Sequence, residues 1–167
     1  MKRRLALTFL FSCMAFQLQA ALPPEEAEIV CSAVENANRP PASYDYSLTR
    51  HSDMLERDIT GSGTLILREE GKMSIESRSP ESKTMELDAA KSGMPVPSRL
   101  LDPAFFNIVC DDGGGKVWTI ILTPRKRDMK RMFVRLTLEA DKNNGQITSV
   151  LMEDQSGGYT LLKTRKQ

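Results

Sequence analysis

After Pro41 the apolar residues stop following a helical period and begin to alternate with polar ones almost to the C-terminus, which commits most of the chain to β-strands. Tyr44, Tyr46 and Leu48 alternate with Asp45, Ser47 and Thr49. Gly61 to Arg68 reads as a second strand, leading through Glu69-Glu70-Gly71 into Lys72 to Glu76, and Lys83 to Leu87 as another. Residues 89 to 104 carry Pro95, Pro97 and Pro103 and break the pattern, with a short helix expected at Ser98 to Leu101. Phe106, Ile108 and Cys110 share one face of a strand that turns at Asp112-Gly113-Gly114-Gly115, and Val117 to Leu122 returns beside it. Met132, Val134, Leu136 and Leu138 hold a period of two, and turns at Asn143-Asn144-Gly145 and Gly157-Gly158 lead to strands at Ile147 to Met152 and Tyr159 to Lys163. Hairpins in series make an antiparallel meander.

One helix precedes the alternation. Pro23-Pro24 suits a first helical turn, Glu25 and Glu26 complement its dipole, and Pro40 stops it near Ala37. Ala27, Val30, Cys31, Val34 and Ala37 form an apolar stripe, with Glu35 and Asn38 facing away.

The first 20 residues read as an export signal: Lys2, Arg3 and Arg4, an apolar run from Leu5, and Leu18-Gln19-Ala20 before a cleavage point at Ala21. A competing reading takes Leu10-Phe11-Ser12-Cys13 as a lipobox that acylates Cys13, though Phe11 suits it poorly. Cleavage after Ala20 leaves 147 of the 167 residues, enough for one domain with a sizeable core. The leader holds three of the 23 basic residues and none of the 22 acidic ones, so the mature net charge is −2, unlike that of a nucleic-acid binder. An oxidising compartment allows Cys31 and Cys110 to form a disulfide worth about 4 kcal/mol on the entropic account; two inert buried thiols are the alternative.

Geometry turns these elements into a functional expectation. About eight or nine strands at ~4.8 Å spacing make a sheet about 40 Å across, while the helix is only ~20 Å long and ~10 Å wide. The sheet must curl, and the segment at 89 to 104 must help close it. What stays uncovered is an apolar hollow for an acyl chain or similar guest, lined by Leu65, Leu67, Met73, Ile75, Ile120, Leu122, Val134, Leu136, Val150 and Met152; a filled core is the alternative.

At these residues the chain resembles the periplasmic carriers of outer-membrane lipoproteins (LolA-type). The resemblance lies in Gly61-Ser62-Gly63-Thr64-Leu65-Ile66-Leu67-Arg68 after the helix, Met73 to Glu76, Ile121-Leu122-Thr123-Pro124, Val134 to Leu138 and Gly145-Gln146-Ile147, and covers about two-thirds of the mature chain. It implies a mainly β fold with α (α+β): a curved antiparallel sheet or half-open β-barrel, with the N-terminal helix and a short helix over the concave face. It further implies a monomeric carrier that shields lipoprotein acyl chains or lipid and exchanges them with inner- and outer-membrane handover proteins, without catalysis or cofactor. Glu69-Glu70 stands where the family has Arg-Pro, Met73 and Ile75 where it has aromatics, and the segment from about 78 to 104 is short, leaving room for fewer lid helices.

Other signals carry less. Gly61-Ser62-Gly63 meets Ile66 where a nucleotide fingerprint needs glycine, and the Asp112 turn lacks the Lys-Ser/Thr of a P-loop. His51 is the single histidine, which excludes a multi-histidine metal site, and no acid, base and nucleophile constellation stands out. Arg125, Lys126, Arg127, Lys130 and Arg131, interrupted only by Asp128, form a basic cluster that reads equally as a solvated hairpin turn and as a surface for an acidic partner or anionic headgroups. A periplasmic interaction or regulatory module of the same fold, with that cluster as its binding surface, is therefore the second functional expectation.

Overall fold

The computed structural model describes residues 21–88, 91, 100–112 and 114–167. The signal segment with Cys13, and Ser98 of the expected short helix, lie outside the described residues; Leu100 and Leu101 form a turn.

Helix α1 runs over Pro24–Ala37, the span expected from its bounding prolines and acidic first turn. Its stripe faces inward, with Val30 and Val34 buried. Nine strands follow: β1 (Ala42–His51), β2 (Ile59–Leu67), β3 (Lys72–Ser79), β4 (Lys83–Asp88), β5 (Phe106–Asp111), β6 (Val117–Pro124), β7 (Arg135–Asp141), β8 (Ile147–Glu153) and β9 (Tyr159–Lys166), with a short helix α2 (Arg127–Met132) between β6 and β7. They form one antiparallel sheet in the order β4-β3-β2-β1-β9-β8-β7-β6-β5. Two meanders thus grow outward from a central seam, where β1 pairs with β9 from Tyr44↔Lys166 to His51↔Tyr159.

The sheet stays open. Its edges are β4 and β5, and Leu101, ahead of β5, is buried in the core beneath the helices. The β5 edge is partly capped by the residues before α1, with Ala21 bridging Asp111 and the Leu22 N–H donating to the Cys110 carbonyl at 2.8 Å. The β4 edge carries exposed Lys83 and Glu86, charges that discourage pairing with another chain.

The apolar interior is divided unequally. A main cluster beneath α1 and α2 joins Val30, Val34, Leu101, Phe106, Ile120, Leu122, Met129, Phe133 and Leu138 against the β5–β8 wing. A small second cluster, Ala42, Tyr44 and Leu67 with Leu65 and Met73 against it, lies on the β1–β3 side.

Three expectations are corrected. Arg127–Met132 is a helix, where a solvated turn and the start of a strand were expected, and β7 begins only at Arg135. Met129 inside the helix and Phe133 just after it are both buried, and Phe133 occupies what the alternation would make an outward position. Asp128 near its start and Lys130 and Arg131 near its end complement the dipole.

Asn38 is buried, not solvated. Its Nδ2 donates to the carbonyls of Val34 (2.7 Å) and Gly145 (2.9 Å), while its Oδ1 accepts from the Tyr44 hydroxyl (3.0 Å) and the Ile147 N–H (3.2 Å). Each polar atom of the side chain has two partners, which removes the cost of burying it.

The expected Cys31–Cys110 disulfide is not formed: both residues are free thiols, with the two Sγ atoms in contact at 3.7 Å, well beyond a covalent bond of ~2.05 Å. The sulfurs share a hydrogen bond, which lowers the Cys110 pKa; the same contact and burial push that of Cys31 far up. The helix stripe thus brought the right residues together, but as an S–H···S pair.

Two outcomes follow from this packing. Gly145 has φ +71°, and a Cβ there would lie 2.8 Å from the Ala33 carbonyl oxygen and 3.0 Å from the Ala37 Cβ. Gly145→Ala should therefore cost about 2 kcal/mol or more and lower the melting temperature by roughly 5 °C in thermal unfolding followed by circular dichroism; an unchanged transition would contradict the seating of α1 on this turn. Treating the mature protein with a two-electron oxidant should remove both thiols together, with loss of two hydrogens by mass and no dimer; thiols that titrate independently would show that the pair does not meet in solution.

Candidate functional site: an apolar cavity beneath the helices

Between the two clusters lies a cavity of about 330 Å³, bounded almost wholly by apolar atoms. Tyr44 of β1 and Leu162 and Thr164 of β9 line its floor at the central seam. Leu65, Leu67 and Met73 of β2 and β3 form one wall, and Leu136, Ile147, Val150 and Met152 of β7 and β8 the other. Phe106 of β5, Leu100, and Met129, Met132 and Phe133 in and after α2 complete it, with Asn38 beyond the end of α1. On a flat sheet β3 and β7 would stand about 24 Å apart at ~4.8 Å per strand, so a single cavity of this size touches both only because the sheet curls.

Strand register explains which predicted residues converge. Leu67 faces Met73 across β2 and β3, Leu136 faces Met152 across β7 and β8, and Val150 faces Leu162 across β8 and β9. Leu65, Leu67, Met73, Leu136, Val150 and Met152 all line the cavity.

The other four residues named for this hollow lie elsewhere. Ile75 pairs with Leu65 on one side and with exposed Met85 on the other, and extends the apolar face toward the β4 edge beyond the cavity. Ile120 and Leu122 are fully buried in the main cluster, because the helices lie over the β6 wing and fill it. Val134 is 42% exposed, since Phe133 takes the inward position where α2 hands over to β7. Conversely, the α2 contribution was hidden inside a charge run, and its only signal was the four-residue spacing of Met129 and Phe133.

The few polar groups on the wall are occupied. The Tyr44 hydroxyl donates to Asn38, and the Thr164 hydroxyl donates to the Ile147 carbonyl at 2.6 Å. Burial raises the Tyr44 pKa, so its hydroxyl stays protonated. A guest in the cavity finds hydrocarbon and thioether surface, with little to hydrogen-bond.

The cavity wall reaches solvent at Met132, its one exposed lining residue, at 52%. The basic cluster lies on the same helix and on the segment just before it. Arg127, Lys130 and Arg131 are exposed on α2, whose Met129 and Met132 line the cavity. Arg131 is 3.9 Å from Asp128, Lys126 places its Nζ 4.1 Å over the Phe105 ring, and the Arg125 Nε donates to the Phe106 carbonyl at 3.2 Å. Nearby Glu153 is held by Arg135, which keeps its carboxyl below the usual carboxylate range.

His51 lies at the end of β1, stacked on Tyr159 and bonded to Asp58 at 2.8 Å, a contact that raises its pKa. Among the described residues no group of three or more His, Cys, Asp or Glu is placed to hold a metal ion, and no helix is long and apolar enough to cross a membrane.

No protein-family description matches the sequence, and no curated protein matches it. Solved structures similar to the chain include the MucA/MucB complex from Pseudomonas aeruginosa (11% identity over 85% of this chain and 56% of that one, TM-score 0.47). A LolA superfamily protein from Nitrosomonas europaea is similar at 8% identity over 83% of this chain and 91% of that one, with a TM-score of 0.41. A domain assigned as an outer-membrane lipoprotein-sorting protein, from Vibrio parahaemolyticus, is similar at 9% identity over 86% and 93%, with a TM-score of 0.44. The chain spans little more than half of the MucB-containing match.

Proposed function

We propose that this chain is an exported, non-enzymatic carrier that shields acyl chains of lipoproteins or lipids in its apolar cavity for transfer toward the outer membrane. The observation that supports it is the cavity itself: apolar, bounded by adaptable methionines, and with one exposed wall residue, Met132, on a helix that also carries exposed basic side chains. Each buried methylene contributes about 0.8 kcal/mol, so about ten give ~8 kcal/mol gross, equivalent to a Kd near micromolar before the costs of association. Such a complex persists in water yet yields its guest to a better site, so handover needs a competing partner and no bond cleavage. The exposed basic face of α2 favours a second reading, in which it docks an acidic protein partner and the cavity is incidental.

Native mass spectrometry of the mature protein purified from the periplasm separates the two. The carrier reading predicts a stoichiometric acylated ligand, lost in Leu136→Asp and reduced at least tenfold in Met132→Asp, which places its charge at an exposed position and should leave folding intact. A ligand-free mass, together with failure to take up a fluorescent acyl probe, would overturn it in favour of the interaction module.

A further inference from the structure

Resting on the carrier reading, we infer that one end of the half-barrel, formed by the 52–58 loop, the 154–158 turn and α2, is a docking surface for a phospholipid bilayer, and that acyl chains pass between bilayer and cavity there.

Register defines that end. His51 pairs with Tyr159, Tyr159 with Glu153 and Glu153 with Arg135, so one row of residues closes the sheet across β1, β9, β8 and β7. Beyond it stand the 52–58 loop, the 154–158 turn, and α2 with Phe133 and Val134. These segments form a continuous rim. The Asp53 carboxylate lies 4.0 Å from the position a Cβ would take at Gly157, and the Gln155 Nε2 donates to the Lys130 carbonyl at 2.7 Å.

Exposed apolar side chains gather on this rim. Among the described residues eight large apolar side chains are exposed, and five of them, Met54, Leu55, Ile59, Met132 and Val134, lie on it or at its border. The other three, Ile29, Met85 and Val109, stand singly on α1 and the two edge strands, and none of the eight lies on the turns after β2, β5 and β7 that close the opposite end. Single exposed apolar residues are common on any surface, but five at one end, with Met54 92% exposed, mark a contact surface.

The layout of the rim favours a bilayer over a shaped protein groove. Its apolar residues come in two groups, one in the 52–58 loop and at the start of β2, the other where α2 meets β7. Three strand intervals, ~14 Å along the rim, and the polar 154–158 turn separate them. Separate apolar tips enter the headgroup region of a bilayer without needing a complementary pocket. On the α2 side Arg127, Lys130 and Arg131 are exposed against Asp128, and near an anionic lipid surface each basic residue favours binding by about fivefold. On the loop side the carboxylates of Asp53 and Asp58 are drawn to His51, at 3.5 and 2.8 Å, so contact there rests on Met54 and Leu55. Met132 joins the surface to the cavity, because it is 52% exposed on the rim and also part of the cavity wall. A chain leaving past it enters hydrocarbon without crossing water.

The test is flotation of the mature protein with vesicles of phosphatidylethanolamine containing phosphatidylglycerol, compared with phosphatidylcholine vesicles, at low salt. Uptake of a fluorescent acyl probe in vesicle-free buffer is measured alongside. The protein should float with the anionic vesicles. Met54→Asp/Leu55→Asp should lower the partition coefficient at least tenfold, and Arg127→Glu/Lys130→Glu/Arg131→Glu should abolish the preference for phosphatidylglycerol. The first variant changes residues outside the cavity, so it should take up the probe from buffer as the wild type does, yet collect it from vesicles at least tenfold more slowly. A wild type that takes up the probe but does not float would overturn the docking surface, leave the carrier reading standing and give the rim to a protein partner. Flotation unchanged in both variants would place membrane contact on another surface and overturn the proposal as well. A wild type that takes up no probe would sink the carrier reading, and with it the passage of a chain at this rim.

Discussion

The breadth of the apolar concave face, set against the part of it on which α1 and α2 rest, is the constraint on which the rest of the described structure depends. Among the described residues, nine strands present one continuous inner face, while α1 has fourteen residues and α2 six. These two helices, about 21 Å and 9 Å long, rest over the β5–β8 wing of the curled sheet. Close packing is achieved there, and Ile120, Leu122 and Leu138 are fully buried. The opposite wing receives only a small cluster, and the cavity is the space between the two.

How α1 is seated decides the chemistry of that space. Asn38 ties the end of the helix to Gly145 and Ile147 at the β7–β8 turn and to Tyr44 on the central seam, and in doing so uses up the polar groups that border the cavity. One knot thus serves stability and selectivity together: it anchors the helix and leaves an interior suited to hydrocarbon. On α2, Met129 and Met132 line the cavity while Arg127, Lys130 and Arg131 are exposed.

Most of the fold was legible in the sequence because period is a local property. The bounds of α1 followed from prolines and acidic residues at its ends, and the ladders from alternation between glycine-rich turns. The central seam depends on pairing residues more than a hundred positions apart, and only the meander implied it. Helix α2 was obscured because Met132, Val134, Leu136 and Leu138 continue a period of two by coincidence, while Met129 and Phe133 stand among lysines and arginines. Asn38 was misplaced because a polar residue is buried only when distant partners exist, and Gly145 and Ile147 lie more than a hundred residues away. Alternation assigned Leu67 and Leu122 to the same inner face, yet one lines a cavity and the other a filled core. The difference lies in where the helices rest, which no strand pattern records. Cys31 and Cys110 were correctly placed together, although spacing says nothing about their oxidation state.

The central claim, that an acyl chain occupies this cavity and no other surface, is tested most directly by methyl spectra of protein labelled at methionine with carbon-13. Adding one equivalent of dodecanoate should shift the methyls of Met73, Met129, Met132 and Met152, which line the cavity, and leave those of exposed Met54 and Met85 in place. Unmoved cavity methyls, or shifts confined to Met54 and Met85, would show that the chain binds elsewhere or not at all, and would contradict the account.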